Sequence, residues 1–458
     1  MKDKNELVSA GLSVALALGL AGVAQAAISM FPERVANRTG ELLIGIDGFK
    51  PNAGTERHVK AMKEAGFDMI ESGVDNIDVA TLDLFQKYGI GCYIGGGLPS
   101  WWGGSKDCRG GTMEAKRPFK VWDEPLAKFA HHPAIWGLEI GDEPSGLDFP
   151  YYGKLLAYLR SKRPDLAYYV CLFPCYAMPG TAGKDPAETQ LGSPNYTKYI
   201  ADWCKYVDVD YIATDIYPWG WSVTRSQMFE NMRIIADAAQ ASGRTWNAVL
   251  QGNKFYEDYG EGNIGQGRSM TDNTMRFQAN AALAYGADHL WWGCWALGWW
   301  TENVVRPDGS IDEVVLNRYK RINAEYKTLG REYVKFRRLS TELVGFKGTS
   351  LDDGKILQPF VSAANSAAFS DVEAEDGAAL AVGHMAARDG SGKYAMFVAA
   401  CDDPEDEHNA RHVIRFRVPF GRKATAFGAK GPKKLQDDGK GNCAIGLKSN
   451  EAALVVAD

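Results

Sequence analysis

The chain has 458 residues, 45% of them hydrophobic, and it carries 13 Trp, 20 Tyr and 19 Phe. This length is typical of two or three domains, or of one large α/β barrel with an appended domain. The net charge of −6 and the lack of a polybasic run argue against nucleic acid or an anionic membrane surface as a partner, so a neutral or small-molecule ligand is favoured.

The first 26 residues have the pattern of a secretory signal peptide. Lys2 and Lys4 precede an apolar run over residues 10–23, which ends in the small-x-small sequence Ala24-Gln25-Ala26. A membrane anchor is disfavoured because about 20 apolar residues are needed to cross a bilayer. We therefore expect residues 1–26 to be removed and the mature protein to be secreted or periplasmic, with no membrane insertion after cleavage.

Short apolar runs alternate with longer helical patterns as far as residue 338, which predicts βα units and a parallel sheet. The predicted strands are residues 42–47, 68–72, 91–95, 135–141, 167–173, 211–215, 245–251 and 289–295. Eight such strands predict an α/β fold, a (β/α)8 TIM barrel over residues 27–338. A doubly wound open sheet is disfavoured because no glycine-rich phosphate turn follows the first strand.

Residues 339–458 have a different pattern, with short alternating segments separated by Gly, Asp and Asn turns. The predicted strands are residues 382–385, 394–400, 413–418, 423–426 and 453–456. They predict a small antiparallel β-sandwich, an accessory domain that packs on the flank of the barrel.

Eight cysteines follow the predicted cleavage site at irregular spacing, without a CxxC pair. Zinc-ligand spacing is absent from the sequence, and we expect mostly buried thiols with one or two disulfides. We expect no metal and no organic cofactor.

The strand ends indicate where the chemistry lies, because the active sites of such barrels are built at the carboxyl ends of the strands. These ends carry acids, one amide and aromatic rings: Asp47, Glu71, Asp142, Glu143, Asp215, Tyr217, Gln251, Trp292 and Trp295. Only His289 among the histidines falls in a predicted barrel strand, so Ser-His-Asp and Cys-His catalysis are disfavoured. Paired acids with aromatic walls are typical of glycoside cleavage.

The fourth predicted strand carries a specific motif, Trp-Gly-Leu-Glu-Ile-Gly-Asp-Glu-Pro-Ser over residues 136–145. It resembles the fourth-strand segment of the clan A glycoside hydrolases, the TIM-barrel β-glycosidases, in which an Asn-Glu-Pro triplet supplies the general acid/base. The resemblance implies that Glu143 is the acid/base and that Asp142 replaces the Asn that contacts the sugar 2-hydroxyl. The alternative is that these acids cap the next helix.

The seventh strand departs from that family. Clan A enzymes end this strand with a Glu nucleophile, whereas this chain has Gln251, which cannot act as a carboxylate. Asp215, at the end of the sixth strand, is the preferred replacement, although it also suits a turn before Pro218. Glu71 is a further candidate. Four later acids are interpreted as solvated loop residues, namely Glu257, Asp258, Glu261 and Glu302.

Many tryptophans lie on or just after the third, sixth and eighth strands: Trp101, Trp102, Trp219, Trp221, Trp291, Trp292, Trp295, Trp299 and Trp300. Neighbouring residues of a strand face opposite ways, so Trp291 and Trp292 cannot both face the lumen. We expect about half of these rings in the core and the rest as a sugar-stacking platform. Gln251, Asn253 and Lys254 would then bond sugar hydroxyls.

The sequence therefore predicts an exported glycoside hydrolase acting on an oligo- or polysaccharide. Glu143 is the predicted general acid, and Asp215 the predicted nucleophile or general base. The predicted substrate-binding residues are Asp47, Glu71, Asp142, Tyr217, Trp219, Gln251, Trp292 and Trp295. The alternatives are a non-catalytic glycan-binding barrel, suggested by Gln251, and a carbohydrate lyase.

Overall fold

The computed structural model describes residues 42–99, 102–103, 105, 110–128, 131–177, 185–209, 211–219, 225–255, 269–296, 300–346, 369–406, 409–418 and 422–458. Several predictions lie outside these residues: the signal peptide at residues 1–26, and Trp101, Trp221, Trp299, Glu257, Asp258 and Glu261. None of the described helices is both long and apolar enough to span a membrane.

Eight parallel strands close into a barrel, in which each strand pairs with the next in chain order and the last pairs with the first. The strands are β1 Leu43–Phe49, β2 Met69–Ser72, β3 Gly91–Ile94, β4 Ile135–Asp142, β5 Ala167–Leu172, β6 Tyr211–Ile216, β7 Thr245–Gln251 and β8 His289–Gly293. The predicted TIM barrel is confirmed, since each observed strand overlaps its predicted counterpart.

Helices follow the strands and form the outer layer. They are α1 Glu56–Glu64, α2 Val79–Tyr88, α3 Asp123–Lys128, α4 Phe149–Lys162, α5 Tyr196–Tyr206, α6 Arg225–Ser242, α7 Asp272–Ala284 and α8 Glu313–Tyr333. Local signals set their ends: the Asp78 carboxylate accepts the Thr81 N–H at 2.8 Å before α2, and Gly89, with φ +65°, ends it. A short helix, Met113–Lys116, and a 3-10 turn, Phe119–Trp122, precede α3.

The alternation of side chains along the strands produces two apolar layers. The lumen holds Leu43, Met69, Tyr93, Trp136, Tyr169, Tyr211, Val249 and Trp291. The layer between strands and helices includes Ile44, Ile70, Leu138, Leu250, Leu290 and Trp292. Trp291 and its neighbour Trp292 therefore lie on opposite faces of β8, as strand geometry requires.

The C-terminal region is a sandwich of two antiparallel sheets, as predicted. Its strands are β9 Phe336–Val344, β10 Ser370–Ala374, β11 Leu380–Ala387, β12 Tyr394–Ala400, β13 Arg411–Arg417, β14 Ala424–Gly428, β15 Gly431–Lys434, β16 Asn442–Lys448 and β17 Ala452–Ala457. One sheet has the order β9-β11-β12-β17-β14-β15 and the other β10-β13-β16. Four of these strands, β9, β10, β15 and β16, were not among the predicted ones.

The sandwich packs closely on α7 and α6 of the barrel. Gly383 in β11 lies so near the Ala284 carbonyl that a Cβ atom would overlap it. The Asn280 amide donates to the Asn450 carbonyl at 2.8 Å. Arg338 in β9 reaches Asp237 at 2.9 Å and Gln240 at 3.1 Å, both on α6. A glycine, a buried amide and a buried cation thus fix the sandwich to the flank of the barrel.

The seven described cysteines are free thiols: Cys92, Cys171, Cys175, Cys204, Cys294, Cys401 and Cys443. The expectation of one or two disulfides is wrong for these residues. The barrel core and the sandwich core are built from ordinary side-chain packing instead.

Candidate active site

Six half-buried carboxylates lie at the carboxyl ends of β1, β2, β4 and β6. Five were predicted at this rim, namely Asp47, Glu71, Asp142, Glu143 and Asp215, and the sixth is Glu139. Burial raises the pKa values of all six, and the charges of neighbouring acids further raise those of Asp47, Glu139, Asp142 and Glu143. The strand ends thus converge as the barrel topology requires.

A β-bulge places two acids of β4 on the lumen side. Glu139 pairs with Tyr169 and Asp142 pairs with Cys171, but Ile140 has no partner and Gly141 pairs with Val170. In a regular strand, residues three apart face opposite sides. The extra residue resets this alternation, so Glu139 and Asp142 both face the lumen.

Glu143 occupies a strained turn immediately after β4. Its φ is +45°, in the left-handed region that is sparsely populated by residues other than Gly. Its N–H donates to the Cys171 carbonyl at 2.7 Å, and its Oε2 accepts the indole N–H of Trp102 at 2.5 Å. The following helical turn is capped by Ser145, whose hydroxyl accepts the Leu147 N–H at 3.4 Å. The position of Glu143 is therefore fixed by a main-chain bond to β5 and a side-chain bond to Trp102.

Burial raises the pKa of Glu143 well above its usual range, and the charges of Asp215 and Asp142 raise it further. The hydrogen bond from Trp102 acts in the opposite direction. Burial also raises the pKa of Asp142 to about 7. An acid with a raised pKa remains protonated near neutral pH, as a proton donor must.

Asp215 is the strongest electrostatic neighbour of Glu143. Burial raises its pKa to about 6, while hydrogen bonds from Tyr217 and Cys171 lower it. Its Oδ1 atom is buried and has no hydrogen-bond partner among the described residues. The hydrogen-bonding capacity of this oxygen atom is therefore unused within the described residues.

Glu71 and Glu139 form a second pair of carboxylates, above Gly95. A Cβ on Gly95 would lie within 2.5 Å of one oxygen of each, so these two oxygens are at most about twice that distance, 5 Å, apart. Only a glycine leaves room for both. Burial raises the pKa of Glu71 to about 6, and burial followed by the charge of Glu71 raises that of Glu139. Asp47 lies beside them and accepts the Trp291 indole N–H.

Several predicted binding residues have structural contacts instead. Gln251 is fully buried: its Oε1 accepts the Trp219 N–H at 2.9 Å and its Nε2 donates to the Asn253 carbonyl at 3.2 Å. Asn253 is also fully buried and bonds Cys294, Asn303 and Tyr319. These amides hold the loops after β6, β7 and β8 in place.

The structure does not bring three of the predicted aromatic rings to the carboxylates. Trp219 packs against Phe277 of α7, with ring centroids 6.2 Å apart. Trp292 is fully buried and donates to Asn323 of α8 at 3.2 Å, while Trp295 is fully buried against Phe67. Their positions follow from strand parity and from packing, which places them in the outer layer. Tyr217, by contrast, lies in the lumen layer beside Asp215.

Sequence reasoning missed three residues of the site. Glu139 had a usable signal, since Leu138 and Ile140 beside it are apolar and face the helices. For Trp291, parity along β8 shows that it and Trp292 face opposite sides, and the structure decides that Trp291 faces the lumen. Tyr176, whose pKa is raised by burial and by the charges of Asp215 and Glu143, lies in an irregular loop and had no such signal.

Among the described residues, no group of three or more His, Cys, Asp or Glu side chains is arranged to hold a metal ion. The chemistry available from the described geometry is proton transfer and nucleophilic attack by carboxyl groups. Protonated and ionised carboxyl groups side by side, with pKa values separated by environment, are the requirement for acid/base work.

Compared by sequence, the chain matches no protein-family model and no curated protein. By structure, it is similar to a glycoside hydrolase with a TM-score of 0.53 and 10% identity, over 91% of this chain and 92% of that chain. An endo-β-1,4-mannanase from Thermotoga petrophila has a TM-score of 0.42 and 11% identity, over 92% and 96% of the two chains. A family 5 mannosidase from Rhizomucor miehei has a TM-score of 0.43 and 10% identity, over 62% and 92%. Because the sequence identity is 10%, the similarity to the glycoside hydrolase with a TM-score of 0.53 shows a shared fold.

Proposed function

We propose that this protein is an exported glycoside hydrolase that cleaves glycosidic bonds of an oligo- or polysaccharide with paired carboxyl groups. Glu143 acts as the general acid, and Asp215 acts as the nucleophile or general base. The observation that supports this proposal is the pairing of Glu143, held by Trp102 with a strongly raised pKa, with Asp215, whose charge contributes to that raised pKa.

Glu143 has the properties of a proton donor. Its carboxyl group is half-buried at the rim, and the nearby charge of Asp215 favours its protonated form. Protonation of the glycosidic oxygen by such an acid assists departure of the leaving group, because the alkoxide would otherwise leave with full negative charge.

Asp215 has the complementary properties. Its pKa of about 6 leaves it ionised at neutral pH, and its Oδ1 has no partner among the described residues. Tyr217 holds it by a hydrogen bond. We therefore assign to Asp215 either attack on the anomeric carbon or activation of a water. Carboxyl groups about 5 Å apart give retention, and a separation of about 6.5 to 9.5 Å gives inversion.

The remaining acids suit a sugar deep in the lumen. Asp47, Glu71, Glu139 and Asp142 present carboxyl oxygens, which bond sugar hydroxyls as acceptors when ionised. Gln251 takes no part in the chemistry in this proposal, because its amide is used by main-chain groups. The departure from the clan A pattern thus moves the second carboxylate from the seventh strand to the sixth.

The test measures release of reducing sugar from a panel of polysaccharides, oligosaccharides and 4-nitrophenyl glycosides. Glu143→Gln is expected to lower kcat on polysaccharides and oligosaccharides by about 10² to 10⁴, the usual contribution of a general acid, and to affect 4-nitrophenyl glycosides less, because 4-nitrophenolate leaves with little protonation. Asp215→Ala is expected to lose turnover and to regain part of it with azide, and ¹H NMR of the azide or natural product reports the anomeric configuration. Asp75→Asn, which removes an 86% exposed carboxylate after β2, is the matched control.

The outcomes separate the alternatives. Full turnover of polysaccharides and oligosaccharides by Glu143→Gln would remove this residue from the acid role, and a lack of azide rescue argues against Asp215. Glycan binding by the wild type without turnover would favour a binding protein, and products with unsaturated-uronate absorbance would favour a lyase. The wild-type rate should rise with pH near 6, as Asp215 ionises, and should fall only at higher pH, as Glu143 loses its proton.

A further inference from the structure

We propose that Trp102 forms the subsite for the leaving-group sugar and determines which oxygen of Glu143 carries the catalytic proton. This inference rests on the proposed role of Glu143 as general acid. Trp102 acts on the reaction through Glu143, as a positioning residue, and contacts the substrate with its ring.

Trp102 differs from the other tryptophans in its exposure. Of the nine Trp side chains that the structure describes, eight are buried, whereas Trp102 is 54% exposed. More than half of the surface of this large residue thus faces water, unlike that of the other described tryptophans. Its flat face is a surface on which the C–H face of a sugar ring can stack.

The main chain fixes Trp102 relative to the acid. Trp102 forms a parallel bridge with Asp142, and the Gly103 N–H donates to the Asp142 carbonyl at 2.9 Å. Gly103 lies so close to Glu143 that a Cβ atom would overlap the Glu143 carbonyl oxygen and would sit 2.7 Å from the Pro144 Cα. The exposed ring and the acid therefore form one rigid unit, despite lying 41 residues apart.

The hydrogen bond to Glu143 selects an oxygen. An indole N–H only donates, so Oε2, at 2.5 Å from it, acts as the acceptor. The proton of neutral Glu143 is then placed on Oε1, because the carbonyl-type oxygen is the better acceptor. In the reaction, the Oε1–H bond breaks and the proton passes to the glycosidic oxygen. The C–O bond to the anomeric carbon also breaks, its electron pair remains on the leaving oxygen, and the anomeric carbon forms a new bond to the Asp215 carboxylate or to the water that Asp215 activates.

Trp102 also stabilises what Glu143 becomes. After proton transfer Glu143 is a carboxylate, and the bond from the indole becomes charge-assisted and stronger. An interaction that strengthens as the reaction proceeds lowers the barrier. Since the hydrogen bond lowers the pKa of Glu143, removing it should leave the acid protonated to a higher pH.

The position of the ring indicates which sugar it contacts. Glu143 must reach the oxygen that joins the two sugars, so a ring bonded to Glu143 lies beside that oxygen. Glu139, four residues earlier in β4, and its neighbours occupy the deeper lumen where the retained sugar sits. The exposed indole lies on the solvent side and stacks on the departing sugar.

The first test needs no substrate. Indole ¹H–¹⁵N NMR of the ¹⁵N-Trp protein, with the Trp102 signal assigned from Trp102→Phe, follows this N–H against pH. We expect the Trp102 signal to shift with the ionisation of Glu143 and to lose that shift in Glu143→Gln. A signal that ignores pH, or titrates identically in Glu143→Gln, would overturn the hydrogen-bond part of the proposal.

The second test distinguishes the contribution of the Trp102 ring from that of its N–H group. The 4-nitrophenyl panel identifies the sugar, and oligosaccharides and glycosyl fluorides of that sugar are then compared. Trp102→Phe keeps a ring and loses the donor, so kcat on oligosaccharides should fall about ten- to hundredfold and the alkaline limb should move to higher pH. Trp102→Ala should in addition raise KM about two- to tenfold. Tyr206→Ala, at a 42% exposed ring on α5, is the control and should change neither.

Fluoride leaves without protonation and offers no ring to stack, so turnover of the glycosyl fluoride should change less than threefold in both variants. Equal losses on oligosaccharide and fluoride, or unchanged oligosaccharide kinetics in Trp102→Ala, would overturn this proposal while wild-type turnover still supported the glycosidase. A wild type without turnover on the whole panel would instead remove the proposed function itself.

Discussion

The barrel rim and the C-terminal sandwich with its contact to the barrel both bring charged side chains together, but they combine the charges differently. On the sandwich side, cations meet anions: Arg338 bonds Asp237 at 2.9 Å and Arg388 bonds Asp288 at 2.6 Å. At the rim, six carboxylates face one another, and burial raises their pKa values.

This difference separates structure from chemistry. An opposite charge favours the ionised form of its partner, whereas like charges crowded into a partly dehydrated space destabilise the folded state. Such crowding is typical of sites where a pKa is adjusted for a reaction. The charges of the sandwich side therefore stabilise the fold, and the crowded acids of the rim destabilise it.

Removing the buried cation between sandwich and barrel should have the largest effect on stability. Arg338→Ala loses bonds to Asp237, Gln240 and Thr341, and hydrogen bonds to charged groups each contribute about 1.5–3 kcal/mol. We expect the free energy of unfolding in urea to fall by roughly 2–4 kcal/mol. The neighbouring exposed Arg337→Ala is the control, with a change of about 0.5 kcal/mol or less. Equal effects of the two variants would contradict the paired-charge interpretation.

Neutralising a rim acid should increase the free energy of unfolding. The pKa of Asp142 is about 7 in the folded chain against about 3.9 unfolded, so the folded state binds more protons between these values and its stability falls as pH rises from about 4 to 7. Asp142→Asn avoids that loss. It should be more stable than the wild type at pH 7, by roughly 1–3 kcal/mol, and similar at pH 4.

Thermal unfolding at both pH values measures the Asp142 effect, with Asp75→Asn as the exposed control. A variant that is less stable than the wild type at pH 7 would show that the Asp142 charge is stabilised rather than crowded.

The smallest effect is expected inside the sandwich, at His412 in β13. Its ring nitrogens lie 2.8 Å from Asp376 and 2.7 Å from Asp402. Burial lowers the pKa of His412, but the bonds to these two carboxylates raise it by more, so the net shift is upward. The stability that the charged form contributes is therefore present in full below about pH 6.5, the unfolded pKa, and is lost as pH rises through the folded pKa.

His412→Gln should cost about 1 kcal/mol at pH 6 and less above that window, as measured by urea unfolding. A cost independent of pH would argue for packing alone.

The sequence predicted the barrel well because its strands are buried on both faces. Such strands appear as short apolar runs at regular intervals, and all eight were found. The sandwich strands were harder: β10 and β16 alternate buried and exposed residues and carry charged or polar side chains on one face. The same alternation in β13 was predicted as a strand, so the pattern of β16 was a usable signal that the prediction overlooked.

The site was predicted in part for the same reason. The strand-end rule located Asp47, Glu71, Asp142, Glu143 and Asp215 at one rim. It could not show the bulge at Ile140, because the extra residue is defined by its pairing with β5. Without the bulge, parity would place Glu139 and Asp142 on opposite faces of β4, so the sequence could not show that both face the lumen.

For the aromatic and amide residues, local sequence patterns do not determine which face of the barrel each side chain occupies. Parity predicts that only one of Trp291 and Trp292 faces the lumen, but not which one. The structure selects Trp291, because Trp292 finds a partner in Asn323 of α8. The structural role of Gln251 likewise follows from its contact with the loop after β6, which no spacing in the sequence reveals.

The sequence by itself determined the barrel, the presence of a sandwich after it and the rim at which the acids gather, because hydrophobic periodicity and chain order encode these directly. Only the tertiary structure decided which acids face one another, that Trp102 bonds Glu143 across 41 residues, and which rings belong to the core. Those properties depend on distances between segments remote in the chain, and the pKa values depend on the burial that these segments create together.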